Sequence, residues 1–199
     1  MSKKNDLVSM GKQLAFLLRH DQEALDKGLI DKHGWRSVDE LCKNHGYTKE
    51  LIEEIVETNE KKRYEFNDEY NHSKIRARQG HSINVDVELT EVDLVPAYLF
   101  HGTSSKWVDK IMTEGIKKMS RQHVHLSNSY ATAVETGKRH VHGDDKIAVI
   151  LVHTCAMMED GIKIFKSNNN VYLVDYVDPK YIAEVSYDGC FNTPLTGSC

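Results

Sequence analysis

The chain has 199 residues, of which 40% are hydrophobic and 28% charged, a balance typical of a folded globular protein. The formal net charge is −4, and residues 1–96 carry 15 Lys and Arg against 19 Asp and Glu, which excludes nucleic-acid binding through overall positive charge. No apolar run reaches the roughly 18 residues that a membrane span requires. Any contact with phosphate must therefore come from a local cluster of basic residues.

The cysteines bear on the redox state of the protein. Cys42, Cys155, Cys190 and Cys199 show no Cys-x-x-Cys spacing, and no signal peptide precedes them. This usage predicts reduced thiols in a cytosol-like compartment, and neither a disulfide scaffold nor a zinc knuckle. We therefore expect a soluble, intracellular and cytoplasmic protein.

The first half of the chain reads as three helices followed by a hairpin. Apolar residues spaced by three and four positions predict a helix that ends at Arg19 and His20; its stripe is Leu7, Met10, Leu14, Leu17 and Leu18. A Ser-x-x-Glu capping box at residues 37–40 begins a second helix, and Thr48 begins a third. The segments RYEFND and KIRARQ predict a hairpin. Three helices and a hairpin are the outline of a winged-helix lobe that ends near residue 95.

Strands and helices alternate in residues 96–188. The segment AYLFHGTSS predicts a strand that runs into a helix cap, and KWVDKIMTEGI predicts a helix that stops at Gly115. The remaining elements are a strand in HVHLS, a helix in SYATAVETGKRH, a buried strand in KIAVILVHT, a hairpin in KIFKSNNNVYLVD and a strand in YIAEVSYD. These elements predict an α+β fold class. Residues 189–199 show no period and are expected to form a loose tail.

The basic residues suggest where a phosphate could bind. A guanidinium presents two parallel donors and a phosphomonoester carries nearly two negative charges, so several cations must converge on it. The candidates are Arg19 with His20, Arg76 or Arg78, Arg121, and Arg139. Each also has a structural interpretation: charges at helix C-termini for Arg19, His20 and Arg139, and a solvated strand face paired with glutamates for Arg76 and Arg78. Taken singly, no candidate decides between the two.

The histidines divide in the same way. In FHGT, His101 ends a buried strand, Gly102 allows close backbone approach, and Thr103 and Ser104 can cap the next helix, whose N-terminus could bind an anion. A core histidine beside a tight turn is the alternative. The pairs His123/His125 and His140/His142 would each share a face in extended chain. Because no acidic or thiolate ligand stands at a fixed spacing from them, we expect no metal.

Seven segments, in this order and at these separations, resemble one family: LAFLLRH, GLIDKHGW, IRARQGHSI, LFHGTS, SRQHVHLS, GKRH and SNNNVYLV. They are similar to the NAD-dependent RNA 2′-phosphotransferases, which remove the 2′-phosphate left at a tRNA splice junction. The resemblance runs from about residue 10 to about residue 187.

The resemblance implies two lobes and a set of site residues. Residues 1–95 would form a winged-helix lobe, and residues 96–188 an NAD-binding lobe of the ADP-ribosyltransferase type. The substrate would be an RNA with a 2′-phosphate, such as a tRNA, NAD would be consumed as a co-substrate, and the protein would be a monomer without metal. The implied catalytic residues are Arg19, His20, Arg76 and Arg139, and the implied NAD contacts are His101, Gly102, Thr103, His125 and Ser127. Arg78 stands where the family has another residue, so it is at most auxiliary.

The implied reaction has two steps. The RNA 2′-phosphate first attacks the ribose carbon that bears nicotinamide, and the ribose 2″-hydroxyl then attacks the phosphorus, so that ADP-ribose 1″,2″-cyclic phosphate and a 2′-hydroxyl RNA are formed. His20 would steady the phosphate or shuttle a proton. Two departures bear on NAD affinity: the sequence RHVHGDD, which suggests a longer loop after Arg139, and Asn170 in place of glycine.

Two other function classes remain open on the sequence. An ADP-ribosyltransferase that modifies a protein or a terminal phosphate of nucleic acid would use the same NAD lobe, and Glu184 is the one candidate for an acceptor-activating glutamate. A non-catalytic RNA-binding module built on the winged helix is disfavoured by the acidic balance of residues 1–96.

Overall fold

The computed structural model describes residues 3–68, 70–167, 169–187, 189–193, 195 and 197–199, with side chains from residue 6 onward. The chain divides into two compact units, the first running up to Glu88 and including Ser120–Gln122, the second comprising residues 89–119 and 123–199. The first unit ends before the expected boundary at residue 95 because Thr90–Glu91 pairs with a strand of the second unit. Residues 120–122 belong to the first unit, where Gln122 N donates to the His81 carbonyl.

The first unit combines helices with one small sheet. Its elements, in chain order, are α1 (Lys3–Arg19), α2 (Gln22–Asp26), β1 (Arg36–Ser37), α3 (Val38–His45), α4 (Lys49–Glu57), β2 (Tyr64–Phe66) and β3 (Lys74–Ala77). The strands are antiparallel in the order β1-β3-β2. The three predicted helices and the hairpin are confirmed, whereas α2 and β1 were not anticipated. The winged-helix assignment stays a prediction.

Local chemistry explains where these helices begin and end. The Ser37 hydroxyl accepts a hydrogen bond from Glu40 N at 3.3 Å, and the Thr48 hydroxyl accepts one from Leu51 N at 3.2 Å, which satisfies amides that the helix cannot. Gly46 ends α3 in the left-handed region at φ 73°. The predicted apolar stripe of α1 packs into the core of this unit, with Leu14 and Leu18 fully buried.

The second unit is built on a large antiparallel sheet. Its elements are β4 (Thr90–Glu91), β5 (Tyr98–Ser104), α5 (Val108–Glu114), β6 (Ile116–Lys117), β7 (Val124–Ser127), α6 (Tyr130–Gly137), β8 (Ile147–His153), α7 (Thr154–Glu159), β9 (Phe165–Lys166), β10 (Val171–Val174), β11 (Tyr176–Val177) and β12 (Ile182–Ser186). Seven strands pair in the order β12-β8-β5-β7-β10-β9-β4, and β6 pairs with β11. The α+β fold class is therefore confirmed, while the ADP-ribosyltransferase type stays a prediction.

The centre of the large sheet carries the predicted NAD residues. β5 pairs with β8 over its whole length, from Tyr98 opposite His153 to Ser104 opposite Ile147. On its other edge β5 meets β7, where Phe100 lies opposite Ser127. The FHGT and HVHLS segments, separated by some twenty residues of chain, thus occupy neighbouring strands.

The turn before β10 explains one departure from the family pattern. Asn168 lies outside the described residues, but Asn170 has φ 60°, in the left-handed region where glycine is the usual residue. Asparagine tolerates this conformation better than most side chains. Asn170 therefore adopts the left-handed conformation for which glycine was expected.

The end of the chain differs from the expected loose tail. Cys199 N donates to the Val95 carbonyl, Ala97 N donates to the Gly197 carbonyl, and the Phe191 ring packs 5.7 Å from that of Phe100. Cys155, in α7, forms a disulfide with Cys199 across 5.1 Å between their Cα atoms. The expectation of reduced thiols is therefore wrong at these two positions. Cysteines 44 residues apart carry no spacing signal, and only the return of the chain beside residues 95–97 brings them together.

None of the helices in the described part of the chain is both long and apolar enough to cross a membrane.

Candidate active site

Arg76 is a buried arginine surrounded by acceptors. Its side chain is 11% exposed, Nε donates to Glu65 Oε1 at 2.7 Å, and Nη1 donates to the His33 carbonyl at 3.2 Å. Glu88, an exposed residue, approaches the same Nη1 at 3.3 Å. The structural interpretation of Arg76, a solvated strand face paired with glutamates, is therefore correct for the pairing but not for the solvation. Glutamates do pair with Arg76, but on a face from which most of the solvent is excluded.

Arg78 shares one carboxylate with Arg76. Its Nε donates to the Tyr64 carbonyl at 3.2 Å and lies 3.4 Å from Glu65 Oε2. Glu65 therefore sits between the two arginines of KIRAR, one on each carboxylate oxygen. Two alternate arginines in an acidic chain are accommodated because one partly buried glutamate pairs with both.

Arg19 and His20 lie at the end of α1, where the segment after β3 holds them. Ser82 N and Ile83 N both donate to the Arg19 carbonyl, at 3.0 and 3.3 Å. His20 Nδ1 and the Ser82 hydroxyl are hydrogen bonded at 2.9 Å, which orients the imidazole. Partial burial, followed by the charges of Arg19 and Arg121, lowers the pKa of His20 below its usual value. The neutral imidazole is therefore the form favoured near pH 7.

His81 is a buried histidine near several of the predicted catalytic residues. It is 1% exposed, and neither ring nitrogen has a hydrogen-bond partner among the described residues. Burial lowers its pKa to about 3, and the charges of Arg19, His20 and Arg76 add to this effect. The contacts agree with this: Ser82 bonds to both Arg19 and His20, and Arg76 bonds to the carbonyl of His33, next to Gly34, where an added Cβ would lie 3.6 Å from His81 Nε2. Sequence reasoning had given His81 no role.

The predicted NAD residues are brought together on β5 and β7. His101 Nδ1–H donates to the His125 carbonyl at 3.1 Å, and His125 Nδ1–H donates to the His123 carbonyl at 3.0 Å. A carbonyl can only accept, so in the neutral form each ring carries its proton on Nδ1 and a lone pair on Nε2. The Ser127 hydroxyl accepts from Ser129 N at 3.0 Å, at the start of α6. Imidazole and hydroxyl groups of this kind suit a ligand rich in hydroxyl groups.

Gly102 is required by packing within the protein. A Cβ at this position would lie 1.7 Å from the Ala133 carbonyl oxygen and 2.9 Å from Gly137 N, both in α6. A Cβ on Gly137 would in turn lie 2.9 Å from Ile147 Cγ2. The close approach that Gly102 permits is therefore that of α6 onto β5. Because Arg139 follows α6 by two residues, the packing of α6 on β5 also fixes where the backbone of Arg139 lies.

Ser104 does not cap the following helix, contrary to expectation. A 3₁₀ turn begins at Ser105, and within the described chain Ser104 makes no capping bond to it. Its hydroxyl donates instead to Asp145 Oδ2 at 2.9 Å, and Lys106 Nζ lies 3.4 Å from the same oxygen. These contacts lower the pKa of Asp145, with the Ser104 bond as the first cause. Asp145, in the loop after Arg139, thus ties that loop to the end of β5.

Arg139 lies on a 3₁₀ turn, Lys138–His140, and is exposed. It belongs to the second unit with the predicted NAD residues, whereas Arg19, His20 and Arg76 belong to the first. His140 shares that turn and His142 follows in a loop, so the two do not alternate on a strand. Among the described residues, no three His, Cys, Asp or Glu side chains are grouped as metal ligands.

Comparison with known proteins decides the family. The model of the family described as "RNA 2′-phosphotransferase, Tpt1 / KptA family" matches residues 5–176, well over half of the chain. The chain belongs to this family.

Individual relatives are similar in sequence to this chain over most of their length. A protein of Flavobacterium johnsoniae named "Probable RNA 2′-phosphotransferase" is 44% identical over 185 residues, covering 90% of this chain and 97% of the relative. Proteins with the same name from Fusobacterium nucleatum and Rhodopirellula baltica are 43% and 40% identical, covering 88% and 92% of this chain and 97% and 98% of their own length. The resemblance seen in the seven segments is therefore confirmed.

In this member of the RNA 2′-phosphotransferase family, Arg36 is a residue that the sequence did not single out. It is 1% exposed, and all five of its N–H groups are bonded. The acceptors are Glu40 (2.6 and 3.1 Å), Asp21 (2.8 Å), the Leu17 carbonyl (3.0 Å) and His45 Nε2 (2.9 Å). Leu17 and Asp21 flank Arg19 and His20. Arg36 therefore fixes the backbone of residues 17–21, the segment that carries these two predicted catalytic residues. Only its position after GW was visible in the sequence, and nothing there signals burial.

Proposed function

We propose that this protein is an NAD-dependent RNA 2′-phosphotransferase that removes an internal 2′-phosphate, as at a tRNA splice junction. The reaction passes through a 2′-phospho-ADP-ribosylated RNA and releases nicotinamide and ADP-ribose 1″,2″-cyclic phosphate. Family membership supports the reaction class. The observation that carries the proposal in this chain is that the segment at residues 81–82 lies beside three of the predicted residues: Ser82 bonds to Arg19 and His20, and Arg76 bonds to the His33 carbonyl, beside the position where a Gly34 Cβ would lie 3.6 Å from His81. A phosphate dianion needs several cationic or donor groups at one point.

In the first step, the 2′-phosphate of the RNA acts as the nucleophile. One of its oxygens forms a bond to C1″ of the nicotinamide ribose while the C1″–N bond breaks, and nicotinamide leaves with the electron pair. A phosphate dianion needs no general base, so the first unit has to place and orient it. Arg76, held by Glu65 and the His33 carbonyl, is suited to this because its direction is set before the phosphate binds.

In the second step, the ribose 2″-hydroxyl attacks the phosphorus and the bond from phosphorus to the RNA 2′-oxygen breaks. The hydroxyl gives up a proton and the 2′-oxygen takes one. His20 is suited to carry that proton, because its lowered pKa favours the neutral base near pH 7 and the Ser82 hydroxyl orients its ring. Negative charge on the phosphoryl oxygens is stabilised by arginine, the role assigned to Arg76 and Arg139.

The second unit supplies the site assigned to the co-substrate. NAD carries ribose hydroxyl groups on the part assigned to these strands. Both His101 and His125 direct Nδ1–H to backbone carbonyls, which fixes the tautomer and the orientation of each neutral ring. Thr103 and Ser127 add hydroxyl groups on the same two strands. Gly102 contributes through the packing of α6 on β5, and thereby through the position of Arg139.

The test is incubation of the purified protein with a short RNA that bears one internal 2′-phosphate, with and without NAD⁺, followed by mass analysis of RNA and nucleotides. We expect a 2′-hydroxyl RNA and ADP-ribose cyclic phosphate only when NAD⁺ is present. An RNA that retains ADP-ribose would indicate a transferase that stops after the first step. No reaction by a folded protein would refute the proposed function and favour another acceptor, such as a terminal phosphate or a protein.

Arg76→Ala should abolish this activity with the fold intact. The expected loss is at least about a thousandfold in kcat/KM, the size seen when an arginine is removed from other phosphoryl transfers. Lys74→Ala is the matched control, because Lys74 lies on the same strand but is exposed, and its ion pair among the described residues is a long one, 3.6 Å from Asp31. An active Arg76→Ala variant would remove Arg76 from the catalytic set.

A further inference from the structure

Trp35 and Arg76 lie opposite each other across the small sheet of the first unit. β1 pairs with β3 through Arg36 and Ile75. Continuing this antiparallel register by one residue beyond β1 brings Trp35 opposite Arg76, and the central carbon of Arg76 lies 4.3 Å from the centroid of the Trp35 ring. On the other side of β3, Glu65 is the register partner of Arg76. Residues directly opposite on neighbouring strands share a face. Trp35, Arg76 and Glu65 therefore form one row across the sheet.

This row lies on the face of the sheet away from the core. Ile75 and Ala77, the neighbours of Arg76 on β3, are fully buried in the core of the first unit. Successive side chains of a strand point to opposite faces. The row is thus placed where a ligand of the first unit can be met, rather than in its interior.

The row holds the Arg76 guanidinium in three directions. Its central carbon lies 4.3 Å from the centroid of the Trp35 ring, Nε donates to Glu65, and Nη1 donates to the His33 carbonyl. A planar group supported on one face and at two of its nitrogens cannot turn without losing a contact. Nη2 makes no hydrogen bond to another residue in the described part of the chain, which leaves it for a substrate.

Trp35 is itself held by the short loop that precedes it. Asp31 Oδ1 accepts from His33 N at 2.9 Å and from Trp35 N at 3.0 Å, and Asp31 N donates to the Trp35 carbonyl at 3.0 Å. Gly34 adopts φ 80°, which lets the chain reverse between them. The loop DKHGW therefore presents an indole ring and a carbonyl to the same arginine.

We propose that Trp35 is a positioning residue for the reaction. Its ring holds the Arg76 guanidinium in the plane in which the remaining amino group meets the 2′-phosphate. The identity of that phosphate rests on the proposed function, but the geometry does not. Without the ring, the His33 carbonyl, Glu65 and the exposed Glu88 still bond the guanidinium at its edge, but nothing supports its planar face.

The expected effect follows from the strength of such contacts. Trp35→Leu should lower kcat/KM for the 2′-phosphorylated RNA by between about twofold and thirtyfold, the range that corresponds to a partly desolvated cation–π contact. Trp35→Phe retains an aromatic face and should lie close to the wild type. Trp107→Leu is the matched control: Trp107 is the other tryptophan of the chain, with Lys106 5.4 Å above its ring.

A direct readout is the NMR resonance of the Arg76 Nε–H group, assigned by its loss in Arg76→Lys. We expect its exchange with water to be at least about tenfold faster in Trp35→Leu than in the wild type, because the covered hydrogen bond to Glu65 becomes exposed. Trp35→Phe and Trp107→Leu should leave it slow. If Trp35→Leu does not fold, Trp35→Met replaces it, since methionine fills irregular space well.

Two outcomes would overturn the proposal. One is an unchanged Nε–H exchange rate in the folded Leu or Met variant. The other is an equal loss of kcat/KM from Trp35→Leu in the Arg76→Lys background, because a residue that acts through Arg76 has no guanidinium to position there. A wild-type protein with no activity on the phosphorylated RNA would refute the proposed function alone, while the exchange measurement would still decide the role of Trp35.

Discussion

Replacement of Arg36 by methionine tests how much this residue stabilises residues 17–21, the segment that carries Arg19 and His20. The substitution keeps much of the side-chain volume but removes a guanidinium that bonds Asp21, Glu40 and the Leu17 carbonyl. The carboxylates of Asp21 and Glu40 are only 18% and 13% exposed, so they would be left without a cation in a poorly solvated place. Breaking a buried ion pair in this way costs about 3 kcal/mol of unfolding free energy.

The pH dependence of this loss has a definite sign. Arg36 and the adjacent bonds lower the pKa of both Asp21 and Glu40 in the folded protein, although burial alone raises the pKa of Asp21. A carboxyl group whose pKa is lowered on folding adds stability that is present above its unfolded pKa, about 4, and is lost as the pH falls through the folded value. The difference between wild type and Arg36→Met should therefore be full at pH 7 and shrink below about pH 4.

Urea denaturation followed by tryptophan fluorescence gives the required free energies. A Trp107→Phe background leaves Trp35, the neighbour of Arg36, as the one tryptophan of the chain, so the signal reports the first unit. Lys27→Met is the control, because Lys27 pairs with Glu23 on an exposed surface, where solvent screens the pair and its loss should leave the unfolding free energy almost unchanged. A loss from Arg36→Met below about 1 kcal/mol, or one that is equal at pH 7 and pH 3, would refute the reasoning.

Three further predictions concern the second unit. Gly102→Ala should lower the unfolding free energy by about 3 kcal/mol, since its Cβ meets the Ala133 carbonyl oxygen, whereas Gly11→Ala, with its nearest contact at 3.7 Å, should not; equal denaturation midpoints would contradict this. Cys199→Ser should lower the free energy of unfolding of the oxidised protein by about 2–4 kcal/mol, with Cys190→Ser neutral, and an unchanged melting temperature would exclude the disulfide. Asp145→Asn should raise the KM for NAD⁺ several-fold in steady-state assays while Asp144→Asn does not, and equal KM values would separate the loop from the site proposed for NAD.

Local patterns in the sequence predicted most of the secondary structure. Some signals act on residues only a few positions away, so the sequence alone is enough to predict their effect. They are the apolar stripe of α1, the serine and threonine that begin α3 and α4, and Gly115 at the end of α5. The hairpin of β2 and β3 was predicted on the same basis. The short β1 was not, because a two-residue strand has no period and forms only where β3 is already present.

The site was predicted unevenly for a related reason. Residue types named the candidate arginines and histidines, but their interpretation depended on partners far along the chain. The packing role of Gly102 depends on Ala133, some thirty residues further along the chain, and its predicted contact with NAD stays a prediction. Ser104, expected to cap a helix, donates instead to Asp145. Arg36 and His81 had no sequence signal, because burial of a polar side chain is decided by what surrounds it.

By itself, the sequence determined the α+β class, the order of the main elements and the family to which the chain belongs, since these depend on short-range periodicity and on segments matched in order. The tertiary structure decided that Trp35 and Glu65 flank Arg76, that Arg36 fixes the segment that carries Arg19 and His20, and that Cys155 meets Cys199. The physical reason is that these contacts join residues far apart in the chain. They depend on strand register and on the path of the backbone, and no short segment of the sequence encodes either.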